Sequence, residues 1–249
     1  MTSEQGSTLH PLLDSAPHSS TLDSFLRSLL PTDSSSSTPP VLPEPKIDTY
    51  PDITYHSYHS LGLSLSFVPS PGSSSSTSSP PDSSLRCNGI DIYNASVPPP
   101  PPKPGRRAKA PDYAPFPRFP VLLPSSSSSP SKGALVPFTP ETTGKELVDA
   151  LGEPTKKGGG WQVGIWTEWE VEVEEGREKG KVCVHVEWAS SGLGAWDKGG
   201  ESGWRCLSAN AIQKAALDTI ASGTRTKDLG GKSSTEEFTQ AILQKLRAA

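Results

Sequence analysis

Apolar and polar positions alternate most cleanly between residues 161 and 188. Val163, Ile165, Trp169, Val171 and Val173 share one side with Trp161 and Thr167, and Gln162, Trp166, Glu168, Glu170 and Glu172 share the other. A period of two marks a half-buried strand. After a turn over 175–180 the rhythm returns, with Val182, Val184, Val186 and Trp188 set against Lys181, Cys183, His185 and Glu187. The pattern predicts a long antiparallel hairpin with one dry face and one acidic face. Upstream, Thr143-Gly-Lys-Glu146 is a capping box, and Leu147, Val148 and Leu151 give the buried stripe of a short helix. Gly152 and Pro154 end that helix. Lys156-Lys-Gly-Gly-Gly160 then reads as a flexible turn, and a further strand is expected near 203–207, around Trp204 and Cys206.

Elsewhere the pattern is shorter. Tyr55 and Tyr58 flank a short strand, His59–Gly62 suits a turn, and Leu61, Leu63, Leu65 and Phe67 alternate with glycine and serine. Ile90 and Ile92 alternate after Asn88-Gly89, a pair suited to a tight hairpin or a bulge. Phe116, Phe119, Val121, Leu122 and Leu123 are again apolar. Over 20–30, Leu22, Phe25, Leu26, Leu29 and Leu30 form one helical stripe, capped from Ser20 or Thr21 and stopped by Pro31. Such a helix either docks on its own domain or binds a partner through Phe25, Leu26 and Leu29. From residue 208 the chain reads as helical, with a stripe of Ile212, Ala216 and Ile220 ended by Gly223. A last helix opens on the capping box Ser234-Thr-Glu-Glu237 and carries Phe238, Ile242 and Leu246.

Composition limits how much of this can be one core. Hydrophobic residues make up 33% of 249, and there are 27 prolines, 22 glycines and several serine runs. That is below the roughly 45–50% apolar usage of ordinary domains, so only part of the chain is expected to order. Residues 1–49 read as a mostly disordered tail holding the helix near 20–30. Residues 50–208 read as a single β-rich domain interrupted by disordered insertions near 69–84, 97–111 and 124–132. Residues 209–249 read as a helical segment. The ends of the 69–84 insertion are expected to lie close together, since loop closure costs little more as a loop lengthens. The fold class is α+β: an antiparallel sheet of about five to seven strands, a short packed helix, helical C-terminal segments and long insertions.

A net charge of −4 argues against a dedicated nucleic-acid binder. Cys87, Cys183 and Cys206 are too few and too scattered for a disulfide scaffold, and no Cys-x-x-Cys spacing suggests zinc. His56 and His59, three apart on a strand, point to opposite faces. No metal and no cofactor is expected. Neither a signal peptide nor an apolar span is visible, so the cytoplasm or the nucleus is expected. Glu168, Glu170 and Glu172 could do acid–base work only if burial separated their pKa values. Alternate positions on a wet face are ordinarily solvated, and Arg177, Lys179 and Lys181 stand across the turn to balance them. Cys183 and His185 face one way without an evident third member. No catalytic residue is assigned.

Binding has better candidates. Trp166 alternates onto the wet face beside Glu168 and Glu170, where it either packs under one of the flanking helices or makes, as an aromatic among acids, a contact patch. Pro101-Pro-Lys-Pro104-Gly-Arg106 matches a polyproline ligand of an SH3-type domain, with Arg106 meeting acids on the partner. The run 104–109 has the composition of a weak nuclear-entry signal.

The stretch Thr143-Gly-Lys-Glu-Leu-Val-Asp-Ala-Leu-Gly-Glu-Pro-Thr155, with Ile165-Trp-Thr-Glu-Trp169 and Val182–Val186, resembles the repeat unit of the BamE/SmpA-OmlA and β-lactamase-inhibitor-protein folds. It spans residues 139–188 and rests on a Leu-Gly-x-Pro helix end leading into an aromatic-rich sheet. The resemblance implies a helix-on-sheet domain that acts by binding through its concave sheet face. Those families are secreted or periplasmic, and this chain shows neither feature of that setting. On this reading the earlier strands extend the same sheet or form a second, degenerate copy. The expected function is a non-enzymatic protein-interaction or scaffold role. The alternative is a hydrolase or transferase using Glu168, Glu170 or His185, which needs a concave pocket around those residues.

Overall fold

The computed structural model describes residues 7–31, 41–70, 84–97, 113–125, 134–160, 164–175, 178–210, 223–224, 226 and 231–248. The main element is an eight-stranded antiparallel sheet. Its first half is a meander of β1 (Lys46–Thr49), β2 (Thr54–Tyr58), β3 (Leu63–Pro69) and β4 (Leu85–Tyr93). A separate two-stranded sheet follows, β5 (Val121–Pro124) with β6 (Leu135–Phe138). The second meander comprises β7 (Lys156–Gly160), β8 (Gly164–Glu175), β9 (Glu178–Trp188) and β10 (Trp204–Asn210). The strand order is β1-β2-β3-β4-β10-β9-β8-β7, so the meanders meet where β4 pairs antiparallel with β10. Helix α1 (Ser20–Ser28) precedes the first meander and α2 (Gly144–Leu151) the second. Helix α3 (Thr235–Ala248) closes the described chain. The α+β class therefore stands.

Alternation builds one core on one face of this sheet. Leu63 and Leu65 of β3 lie opposite Ile92 and Ile90 of β4, which lie opposite Leu207 and Ala209 of β10. Those in turn face Val186 and Val184 of β9, and Val184 faces Trp169 of β8. All are buried in a single cluster with Leu22, Leu26 and Leu29 of the α1 region, Leu147 and Leu151 of α2, and Val121 and Phe138 of the small sheet. Each buried indole finds an acceptor, as a tryptophan in a dry layer must. Trp169 donates to the Gly152 carbonyl at 2.9 Å, Trp188 to the Thr167 hydroxyl at 2.8 Å and Trp204 to the Thr139 carbonyl at 2.8 Å.

The helix ends follow the sequence. Thr143 and Glu146 form both halves of the capping box, and Gly152 takes a positive φ of 84° at the helix end. Ser234 and Glu237 make the corresponding bonds ahead of α3. In α1 the cap is Ser19, one residue before the expected pair, accepting from the Leu22 amide. Asn88 is the bulge: Ser66 faces Gly89 but Phe67 faces Cys87, which leaves one extra residue on β4. The 71–83 insertion leaves and re-enters at a backbone bond between Ser70 and Ser84, so its ends do meet.

Four expectations need correction. The main sheet has eight strands, more than the five to seven expected. Two outer strands, β1 and β7, account for the excess; β7 is the Lys-Lys-Gly-Gly-Gly run expected to be a turn. It qualifies through backbone pairing alone, from Lys156 opposite Glu168 to Gly160 opposite Gly164. Strand β10 runs to Asn210, so the C-terminal helical segment does not begin at 208. The stripe Phe25, Leu26 and Leu29 is not a free binding face, because Leu26 and Leu29 are buried in the chain's own core and Phe25 packs against it. Trp161, Val163, the Ile212–Ile220 stripe and the motif Pro101, Pro104 and Arg106 lie outside the described residues. No helix among the described residues is long and apolar enough to cross a membrane.

Candidate recognition face

The second face of the sheet is polar along a continuous line. Cross-strand register places Lys46 opposite Ser57, Ser57 opposite Ser64, Ser64 opposite Asp91 and Asp91 opposite Ser208. The line continues from Ser208 to His185, from His185 to Glu168 and from Glu168 to Lys156. One residue from each of eight strands thus forms a row with no apolar member. On β2–β4 and β8–β10 it follows from period-two alternation, which commits the apolar partners to the core, and on the outer strands β1 and β7 from register alone.

At the β7–β9 end the row becomes a compact cluster. Trp166 lies flat over Gly158: a Cβ there would sit 2.5 Å from the indole Cζ2. The same indole stacks on His185, with ring centroids 5.1 Å apart and planes inclined by 28°. Glu168 was expected on a solvated face but is only 3% exposed. Its Oε1 accepts from Lys156 Nζ at 2.7 Å and its Oε2 lies 3.8 Å from His185 Nδ1. The hydrogen bond to Glu168 holds the Lys156 ammonium above its usual pKa. Glu170 is half-buried, its backbone N–H donating to the Thr155 hydroxyl at 3.0 Å. The side chains of Glu172, Lys179 and Lys181 lie outside the described residues, so the cation seen to balance this face is Lys156. The structure thus brings Trp166, Glu168 and Glu170 together on one face with His185, where alternation also sets it, and adds Lys156, whose run reads in the sequence as a turn.

The nucleophile candidates of this face are protonated. Burial pushes the Cys183 thiol up to about 12 and the Cys206 thiol well above its ordinary value. Burial also raises Asp91, against a hydrogen bond from Ser208 that lowers it. The Ser208 hydroxyl is thereby directed to the Asp91 carboxyl group. His56 rests against Phe67 at 4.7 Å, whereas His59 meets Tyr113 at 4.7 Å, so the two do not converge on a metal. Among the described residues no group of three or more histidines, cysteines and acids could hold a metal ion.

Two hollows lined by described residues accompany the sheet. One of about 270 Å³ lies between α2 and the β8–β9 end, lined by Val148, Ile165, Trp188 and Trp196, with Lys145 and Lys157 also lining it. The other, of about 540 Å³, lies on the polar face over the first meander. Asp48, Tyr55, Ser57, Ser64, Asp91 and Tyr93 come from β1 to β4, Tyr50 and Asp52 from the β1–β2 turn, and Tyr113 from the segment before β5. Tyr93 and Tyr113 stack with centroids 3.8 Å apart. The sequence signal for this groove is the density of tyrosine and aspartate between residues 48 and 58. Neither hollow takes in Glu168, Glu170 or His185.

Comparison with family models finds no match, and no solved structure matches. A stretch of 42 residues is 55% identical to part of the mitochondrial isocitrate dehydrogenase (NAD) subunit 1 of Ajellomyces capsulatus. That stretch is 16% of this chain and 11% of that protein, so the chain spans about a tenth of the relative it matches.

Proposed function

We propose that this chain is a non-enzymatic, intracellular protein-interaction module, and that the polar face of its sheet is the recognition surface. The observation that carries this reading is the eight-residue polar row, with Trp166 and His185 stacked beside it, on the side of the sheet away from the single core. A flat aromatic surrounded by carboxylates supplies contact area at its centre and charge at its edges. Glu187, opposite Trp166 on β9, is exposed and adds negative charge beside the indole. The buried thiols of this face are held neutral, which makes them poor nucleophiles. A proline-rich segment bearing Pro101, Pro104 and Arg106 would add an SH3-type contact of its own.

The test is capture of partners by the full-length chain from cell extract, comparing wild type with Trp166→Ala and Glu187→Lys. Both variants are expected to lose the same set of partners while keeping the wild-type circular dichroism spectrum. Identical capture by all three proteins would remove the face from consideration.

One observation favours hydrolase or transferase chemistry instead: Glu168 is buried between Lys156 and His185. On that reading Glu168→Gln would abolish turnover of a substrate while leaving partner capture unchanged. On the reading preferred here, Glu168→Gln alters stability and capture together.

A further inference from the structure

We propose that the groove over the first meander is a guanidinium site, which takes an arginine side chain presented by the partner protein. The inference rests on the polar sheet face being a recognition surface, and adds the chemistry of what is recognised. Among the described residues its lining holds three aspartates, four tyrosines and no cation. Among the described residues Lys46 stands beside it, its Nζ 2.7 Å from Asp48 Oδ2, with the lysine side chain 63% and the aspartate 41% exposed. That pair leaves Asp52 on the β1–β2 turn and Asp91 on the sheet, with Tyr55 near both. Burial, and after it the charges of Asp91 and Asp52, hold the Tyr55 hydroxyl protonated.

The aromatic groups favour a planar cation. Tyr93 and Tyr113 are nearly parallel, inclined by 13°, and Tyr50 meets Tyr55 edge-on with centroids 6.1 Å apart. A guanidinium can lie along a tyrosine face while its N–H groups reach a carboxylate, whereas an ammonium is a hydrated point charge without a face to stack. Ser57 and Ser64, with hydroxyl oxygens 3.3 Å apart in the floor, supply further acceptors for a multi-donor fork. The open shape of the groove, some 540 Å³ across four strands, suits a side chain delivered by another protein better than an enclosed metabolite.

The test is a titration of the full-length chain, followed by amide and tyrosine ring resonances. The probes are acetyl-Gly-Arg-Gly-amide, acetyl-Gly-Lys-Gly-amide and tetramethylammonium. Saturable shifts are expected at Tyr50, Tyr55 and Ser64 with the arginine peptide, at least about fivefold tighter than with the lysine peptide. Asp52→Asn, a change on an exposed turn, should weaken the arginine peptide by about fivefold, and Tyr55→Ala should do the same. Absence of saturation, tighter binding of tetramethylammonium, or shifts confined to Trp166 and His185 would each overturn the assignment. If partner capture depends on Trp166 but no arginine probe enters the groove, the guanidinium site alone fails. If capture is indifferent to Trp166, the wider reading fails whatever the peptides do.

Discussion

Glu168 shows how much a single residue's surroundings can differ from its place in the pattern. Alternation puts it on the outer face, which is where it is, but it is 3% exposed. The difference comes from Lys156, which alternation could not place because it sits in a glycine-rich run with no apolar rhythm. A carboxylate withdrawn from water needs its cation. Lys156→Met should therefore cost roughly 1–3 kcal/mol, less than for a fully buried pair because the lysine remains part-exposed. Urea unfolding would measure this, and a cost close to zero would mean that His185 and water satisfy Glu168 alone. Asp91 gives a pH signature of the opposite kind from an ion-paired acid. Burial raises its pKa in the folded chain, so the folded state keeps a proton that the unfolded chain has already released. Stability contributed by this group is therefore present at low pH and lost as pH rises through the interval above the ordinary value of 3.8. Asp91→Asn removes that titration. It should gain on wild type across and above the interval, with the difference flattening below it, as read from chemical denaturation at a series of pH values.

Among the elements, those with two agreeing signals were legible and those with one were not. The helix at Gly144–Leu151 had a capping box, a stripe and a glycine–proline stop, and the β8–β9 hairpin had period two over many residues. Strands β1, β5 and β6 are only four residues long, too short for a period to register, and β5 and β6 each contain a proline. The stripe of α1 was legible, but its destination was not, since the same leucines suit a partner or a core. Strand β7 was hidden because glycines carry no pattern, yet one of them has a specific role under Trp166. Gly158→Ala would put a methyl group 2.5 Å from the indole Cζ2, and the ring would have to lift off the strand. An outer strand tolerates alanine, and alanine adds some strand rigidity over glycine. The expected outcome is a protein of nearly unchanged stability in which the Trp166 indole resonance moves and the His185 ring loses its stacking shift. Partner capture should fall with it. If the indole resonance stays in place, Trp166 is not held by Gly158.

At the scale of the molecule, the described strands of the main sheet form two meanders, each preceded by a helix, that merge at β4–β10, so the early strands extend the same sheet. Sequence could show each half but not the seam, because pairing of β4 with β10 depends on contacts more than a hundred residues apart. That seam has consequences for unfolding. The buried residues of both units form one cluster, so α1 in the first unit and β9 in the second share a single dry layer. Two independent units would melt separately, whereas a shared layer should melt as one. Leu26→Ala removes a side chain only 1% exposed from the first unit, and Val184→Ala removes one equally buried from the second. Each should cost about 2–4 kcal/mol, with the smaller valine toward the lower end. In calorimetry each variant should show one transition, shifted as a whole, with the calorimetric and van't Hoff enthalpies still equal. Tryptophan emission, which reports mainly the second unit, should follow the same curve as far-ultraviolet circular dichroism in the Leu26→Ala protein. If that variant instead melts in two steps, with the tryptophan signal holding at its wild-type midpoint, the halves are separable domains and β4–β10 is a contact between them rather than the middle of one fold.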